Sequence, residues 1–277
     1  MKLSQFILYF SFTVIQPLYS AFELKPTTTL QIGSGNRSLT LSSNSINIFN
    51  DPSSILNGKT FQLQAYSKTA FNFSELKFNH WSAHSNSGYW AWGIGGSKFG
   101  NKLYNESALS FVAGKRFFEK VNFGLNLTWY SLNITRYGSA QTPGLTISWH
   151  FPISEGWTWG TSLRNINAPK IGKSDELLPQ VVATNLTGNF ENKIYLYMEW
   201  EQDLTVSSTF RMGASWKPNP FLQTATGFES GTGTPTFGII LQSRYGTIEY
   251  GLQYFPLLQR YTYQAGIHFY PDQFLPD

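Results

Sequence analysis

Val121-Asn122-Phe123-Gly124-Leu125-Asn126-Leu127-Thr128-Trp129-Tyr130-Ser131 decides the fold of this chain. Val121, Phe123, Leu125, Leu127 and Trp129 interleave with Asn122, Gly124, Asn126, Thr128 and Tyr130. Side chains of a strand point alternately to its two faces, so this stretch has one apolar and one polar face. Helical spacing does not fit it. The same pattern recurs in Lys193 to Gln202, where Ile194, Leu196, Met198 and Trp200 alternate with Tyr195, Tyr197, Glu199 and Glu201. Phe210 to Trp216, Ile248 to Tyr254 and Tyr261 to Phe269 repeat it. Weaker segments fill the gaps at 61–69, 71–80, 88–97, 107–116, 143–151, 157–168, 180–189, 221–229 and 235–243. These make about fourteen strands of about ten residues, the length a tilted strand needs to cross a bilayer.

Composition points the same way. The 277 residues are 17% aromatic and only 13% charged, against about 25% charged in an ordinary soluble domain. Mean hydropathy is nevertheless negative, at -0.23. Disordered chains are poor in aromatics and rich in charge, so disorder is excluded. A helical membrane protein would need several apolar runs of about 20 residues, and the sequence has a single short one at its N-terminus. Fourteen alternating strands with so little charge would leave a soluble sandwich with too apolar a surface. Trp90, Trp92, Trp129, Trp149, Trp157, Trp159, Trp200, Trp216 and Tyr254 fall near strand ends, where a membrane–water interface satisfies both the ring and its polar tip. The expectation is an all-β, transmembrane antiparallel β-barrel.

The connections between strands support this reading. Those near 118–120, 152–156, 190–192, 218–220 and 245–246 read as tight, whereas 98–106, 133–142, 169–179 and 230–234 read as longer. Outer-membrane barrels alternate short periplasmic turns with longer external loops. Two connections break the rule: the one near Ala70 reads as too short, and 81–87 as too long.

Residues 1–20 carry Lys2, an apolar stretch from Phe6 to Ile15, and Ser20 before Ala21. A positive start, an apolar stretch and a small-residue exit predict a signal peptide cleaved near Ser20/Ala21. Removing twenty of the 277 residues leaves 257, a length that suits one β domain. There is no cysteine, so no disulfide framework holds an exported chain together. Residues 21–60 are rich in Ser, Thr and Asn, with turn signals at Gly33-Ser34-Gly35 and Asn50-Asp51-Pro52. They read as an irregular or short-helical, plug-like segment in the lumen or periplasmic mouth. The barrel is expected over 61–270 and a C-terminal tail over 271–277.

Catalytic chemistry finds no foothold. The four histidines, His80, His84, His150 and His268, lack metal-spaced cysteine partners. Gly93 to Gly96 lies within a strand pattern rather than opening a helix, and no Gly-x-Ser-x-Gly elbow occurs. The expectations are no enzyme, no cofactor and no metal. A net charge of +4 without a Lys/Arg cluster gives no support for nucleic acid as a partner. Alternation instead sorts the strand charges onto the polar face: Lys68, Arg116, Arg164, Glu199, Glu201, Arg211, Arg244, Glu249 and His268. That face is the lumen of a barrel, because charge on the lipid side costs about 2–4 kcal/mol at mid-depth.

The stretch Ser43-Asn44-Ser45-Ile46-Asn47-Ile48-Phe49-Asn50-Asp51-Pro52-Ser53-Ser54-Ile55-Leu56 resembles the N-terminal segment of FadL-like outer-membrane proteins. There an Asn-Pro-Ala-Gly-Leu-type stretch precedes the first barrel strand. Here Asp51 separates Asn50 from Pro52, and Ser53-Ser54 stand in place of Ala-Gly. The order of strands ending in Gly266 to Tyr270 is similar to the PorV/PorQ branch, whose members are type IX secretion components or their relatives. This branch implies an accessory or shuttle barrel of protein secretion or surface attachment, with long external loops contacting exported proteins. The wider FadL-like resemblance implies the alternative, a transporter that passes small hydrophobic molecules through its lumen. Either implies the outer membrane of a Gram-negative bacterium, with its lipid as a partner.

Overall fold

A computed structural model describes residues 21–40, 46–118, 120–204 and 208–271. Its strands, in chain order, are β1 (Phe61–Thr69), β2 (Lys77–Asn86), β3 (Trp90–Gly100), β4 (Tyr104–Phe117), β5 (Val121–Ile134), β6 (Gly138–Ser154) and β7 (Trp157–Arg164). Then come β8 (Lys170–Ile171), β9 (Glu176–Leu177), β10 (Val181–Phe190), β11 (Ile194–Asp203), β12 (Thr209–Asn219), β13 (Leu222–Glu229), β14 (Thr234–Gln242), β15 (Gly246–Phe255) and β16 (Arg260–Phe269). Fourteen of them close an antiparallel barrel in which each strand pairs with the next; β8 and β9 form a separate ribbon, so that β7 pairs with β10. The seam is β1 against β16, from Leu63↔Phe269 to Thr69↔Tyr263. Among the described residues no helix is long and apolar enough to cross a membrane.

The faces divide as the alternation requires. In β5, Leu127 is 49% exposed on the outer wall while its neighbour Asn126 is 0% exposed in the lumen. The outer wall carries Trp81, Trp92, Phe111, Trp200, Phe237 and Ile267, all exposed. The lumen wall carries Gln62, Gln64, Ser110, Thr146, Ser148 and Asn185, all buried. A wall that is apolar outside and polar inside is the inverse of a soluble barrel, and lipid is the solvent that suits it.

Two connections that broke the length rule are corrected by the structure. The second strand does not occupy 71–80; it starts at Lys77 and runs to Asn86. Phe71 and Asn72 adopt positive φ, and Ala70 N–H bonds the Leu76 carbonyl at 3.0 Å, so 70–76 is a turn. The Phe71/Phe73 alternation imitated a strand, but Phe71 packs edge-on against Phe255 at the barrel mouth, with ring centroids 4.9 Å apart. The connection to β3 shrinks to 87–89. One end of the barrel therefore has only two- or three-residue turns, and the other has all the longer connections, up to residues 165–180. The expected loops at 98–106 and 133–142 also shrink, to 101–103 and 135–137. Their flanks are strand: β4 and β5 have 14 residues each and β6 has 17, longer than the ten or so that span a bilayer. At the long-connection end β5 and β6 stay paired from Ile134↔Gly138, well past the last β6–β7 pair, Ile147↔Leu163, and project there as a sheet. Beneath it Leu132, Ile171, Leu178 and Ala21 form a small apolar core.

The N-terminal segment fills the lumen. A five-residue helix, α1 (Thr29–Gly33), starts on a capping box in which Thr28 and Gln31 satisfy each other's backbone N–H. A 3-10 turn over Pro52–Asn57 has proline in its first turn. Ile46, Ile48, Phe49, Ile55 and Leu56 cluster with Ala91 and Val112 of the wall. Inward glycines make room for this chain. A Cβ on Gly124 would stand 2.1 Å from the Ser53 nitrogen, and one on Gly227 2.3 Å from the Gly35 nitrogen. The backbone of the plug therefore lies directly on the backbone of the wall.

Gly227→Val is expected to displace the plug around Gly35 and destabilise the fold by about 1–3 kcal/mol, the usual overpacking cost. Leu127→Arg, on the lipid face, is expected to cost about 2–4 kcal/mol. Both are read from the temperature at which heat-modifiable gel migration is lost; a value unchanged from wild type would contradict the assigned face of that residue.

Candidate functional site

The lumen wall presents its charges to the plug in groups. On β11 to β13, Glu199 accepts the backbone N–H of Ser38 at 2.7 Å and of Leu39 at 3.0 Å, one on each oxygen. Glu201 accepts Lys25 Nζ at 2.9 Å and Arg211 at 3.0 Å, and also the Ser38 hydroxyl. Arg211 reaches Glu229 at 3.1 Å, which also accepts Asn36 Nδ2 at 3.1 Å. Arg37 is 0% exposed; its guanidinium lies 3.7 Å from the centre of the Tyr197 ring and donates to Ser34 Oγ and Leu39 O. Lys25, Arg37 and Arg211 thus balance Glu199, Glu201 and Glu229. A buried set with equal charges of both signs avoids the cost of an unpaired ion. Burial, and then the Arg211 charge, push Lys25 below its ordinary pKa, with Glu201 the first of the carboxylates opposing them.

A second group holds the motif residues Asn50, Asp51 and Pro52. Asp51 is 0% exposed. It accepts Thr40 N–H at 2.8 Å and the hydroxyls of Ser53 and Ser148 at 3.0 Å, and His150 Nε2 lies 3.0 Å away. Asn50 accepts Arg164 at 3.3 Å and donates to the Pro26 carbonyl at 2.6 Å. Pro52 opens the 3-10 turn that rests on Gly124. Residues 43–45, the start of the motif, lie outside the described residues.

The third group surrounds the seam. His268 lies 3.3 Å from Glu249, 2.5 Å from Tyr66 Oη and 3.0 Å from Gln62 Nε2. Lys68 donates to Thr27 Oγ1 at 2.8 Å. At the short-turn end Arg116 donates to the Leu56 carbonyl at 2.7 Å, beside Asn86, which holds the carbonyls of Leu56 and Gly58.

Eight of the nine charged residues expected on the lumen face therefore sit there. Arg244 does not: it lies in the exposed turn between β14 and β15, its guanidinium over the Tyr245 ring. The inward phase of β15 begins only after that turn, at Thr247 and Glu249. Sequence reasoning left out Glu106, Glu229, His80, His84 and His150 as lumen residues, all buried. His80 and His84 share the inward face of β2, and misplacing that strand hid their phase. Glu106 was lost in an expected loop; Glu229 continues the inward row of Gln223, Ala225 and Gly227 and could have been read there.

A cavity of about 250 Å³ opens at the long-connection end. Lys25, Lys68, Arg164, Glu201 and Arg211 line it together with Phe71. A smaller one of about 30 Å³ lies between Phe22, Phe49, Phe78 and Tyr130. Among the described residues no three or more His, Cys, Asp or Glu are grouped to hold a metal ion.

An apolar outer wall, a polar lumen and a plug drawn from the chain's own N-terminus define a plugged, membrane-type β-barrel. Solved structures of similar fold include the Ralstonia pickettii toluene transporter TbuX, at 10% identity and a TM-score of 0.67, covering 90% of this chain and 98% of that one. The CymD monoaromatic hydrocarbon channel matches at 11% and 0.65, covering 90% and 98%. A Pseudomonas aeruginosa FadL homologue matches at 10% and 0.63, covering 88% and 98%. At such identities the likeness is one of fold. No family model and no curated protein matches the sequence.

Glu199→Ala is expected to free the N–H groups of Ser38 and Leu39 and leave the cluster one positive charge in excess. Removing one member of a buried ionic set costs about 3–5 kcal/mol. Added protease should then cut the chain between residues 36 and 40 in barrels that still show the gel shift. Protection equal to wild type would show that Glu199 does not hold the plug.

Proposed function

We propose that this protein is an outer-membrane barrel through which small hydrophobic molecules pass when the N-terminal plug shifts, as in FadL-like transporters. The observation that carries this reading is the plug itself. It threads the lumen, and its backbone is held by wall side chains, not by covalent links or a sheet ladder: Glu199, Asn126 and Arg116 bond it directly. The mouth cavity at the long-connection end mixes Phe71, Val181 and Phe255 with Glu23, Lys25, Lys68, Arg164, Glu201, Asp203 and Arg211, so it offers an arriving apolar molecule a small apolar patch within a charged vestibule. The fold shared with toluene and monoaromatic hydrocarbon channels agrees with it.

The PorV/PorQ-like reading, an accessory of secretion, drew on long external loops as the surface for exported proteins. Those at 101–103 and 135–137 are three residues long. What is left for such contacts is the projecting sheet of β4 to β6 and the connection at 165–180. The transporter reading is therefore the stronger of the two.

The test exploits the absence of cysteine. Ser53 N–H donates to Ser148 Oγ at 2.7 Å, and both hydroxyls donate to the same Asp51 oxygen at 3.0 Å, so Ser53→Cys with Ser148→Cys sets two thiols close together, and loss of free thiol on oxidation verifies the bridge. In proteoliposomes wild-type protein should speed toluene entry at least tenfold over empty vesicles. The oxidised double variant should abolish that gain, and dithiothreitol should restore it. Entry no faster than in empty vesicles would overturn transport. Entry that persists through the oxidised lock would overturn gating by the plug.

A further inference from the structure

Toward the long-connection end the outer wall is not the same all round the barrel. On β2 to β6 its last largely apolar row reads Trp81↔Gly96↔Leu109↔Trp129↔Pro143. The next outward row reads Ser67↔Asn79↔Lys98↔Ser107↔Ser131↔Gln141, and nothing in it is apolar. Trp129 marks the boundary, since its indole N–H donates across it to Gln141 Oε1 at 3.1 Å. An indole stands this way where acyl chains give way to head groups. Across the barrel, on β11 to β14, the wall stays apolar to its last outward rungs, Trp200↔Phe210 and Phe228↔Pro235. The polar arc carries two exposed lysines, Lys98 opposite Asn79 and Lys77 two residues beyond Asn79. Among the described residues neither lysine meets a carboxylate, and the Asn79 side chain has no hydrogen-bond partner. From Ser67 and Asn79 a trough of about 470 Å³ runs down the outer wall at the seam, over Ala65 and Ala265 and between Trp81 and Ile267.

We propose that this arc docks one phosphorylated glycolipid of the outward leaflet. One acyl chain lies in the trough between β16, β1 and β2, and phosphates on the sugars of its head group meet Lys77 and Lys98. The hydroxyls and amides of Ser67, Asn79, Ser107, Ser131 and Gln141 face the sugar hydroxyls. The leaflet is the external one, because the longer connections of such barrels face outside.

Charge selects the phosphate. Neither the Ser67–Gln141 row nor the next one, Gly100↔Asn105↔Asn133↔Ser139, contains an acid. Diagonal neighbours on paired strands lie about 7–8 Å apart, so both ammonium groups reach one head group and donate charge-assisted hydrogen bonds to it. Width selects the sugar. The polar row crosses β1 to β6, five strand spacings or about 24 Å, more than a single phosphodiester covers. The trough selects a lipid over a protein. It opens on the acyl layer and ends at the polar row, whereas the core of a protein interface is rich in aromatics and poor in lysine.

This inference rests on the outer-membrane reading, and the test separates the two. Barrels extracted in mild detergent from the outer-membrane fraction are titrated with purified lipopolysaccharide and followed by native mass spectrometry. Wild type should bind one molecule at least tenfold more tightly than it binds phosphatidylglycerol, and phosphatase treatment of the lipopolysaccharide should remove that preference. Lys77→Gln with Lys98→Gln should weaken binding at least tenfold with the gel shift intact. Lys170→Gln, at an exposed lysine of the β8–β9 ribbon at the same end, should change it less than twofold. Ala265→Trp keeps every charge and should weaken binding at least threefold by filling the trough. Binding unmoved by the double variant, an equal loss with Lys170→Gln, or equal affinity for phosphatidylglycerol overturns the docking site. Binding unmoved by Ala265→Trp overturns the seat of the acyl chain. Barrels from the outer-membrane fraction that bind no lipopolysaccharide overturn the inference while that reading stands; recovery of the protein away from that fraction overturns both.

Discussion

A polar lumen must find partners for its buried backbone and charged groups, and that constraint shapes the rest of this molecule. The strands can satisfy their own backbone around the ring, but the inward side chains cannot all pair with one another. The wall is too regular, and its glycines leave backbone bare. The N-terminal segment supplies what is missing. It offers N–H groups to Glu199 and Ser148, carbonyls to Arg116, Asn126 and Gln264, and an ammonium to Glu201. In return the wall gives this Ser-, Thr- and Asn-rich stretch the hydrogen bonds that it could not make alone. Neither part has a satisfied structure without the other, since an unpartnered buried polar group costs about 1–3 kcal/mol.

The same constraint explains which parts of the sequence were legible. Strand number and facing could be read wherever lipid and lumen differ sharply, as in β5, because a one-residue slip would expose Asn126 to lipid and bury Leu127 in the lumen. The reading failed where the outer face is not lipid. Toward the long-connection end Asn133, Ser139 and Gln141 are polar and exposed, so the ends of β5 and β6 lack an apolar row and look like loops. It failed again at Phe71 and Phe73, where two aromatics with strand-like spacing serve a turn.

The candidate site was half legible. Phase assigned Lys68, Arg116, Arg164, Glu199, Glu201, Arg211, Glu249 and His268 to the lumen, but nothing in a single strand says what an inward charge meets. The partners come from the plug: Lys25 and Ser38 for Glu201, Thr27 for Lys68, Leu56 for Arg116. These pairs lie up to 176 residues apart in the chain and obey no period. Asp51 was visible only as an interruption between Asn50 and Pro52. Its role as acceptor for Thr40, Ser53 and Ser148 follows from the fold, which brings the 3-10 turn onto β6.

The seam has a mechanical side. The plug runs through Gly58 straight into β1, and β1 is one lip of the closure, stitched to β16 along seven residue pairs. Force drawn along the plug is therefore carried by those rungs together, in shear, and not peeled off one at a time. The wall and the moving part are joined at the joint that loads best. A displaced plug would stay leashed at the short-turn rim, so its excursion is that of a flap on a hinge, never of a cork leaving a bottle.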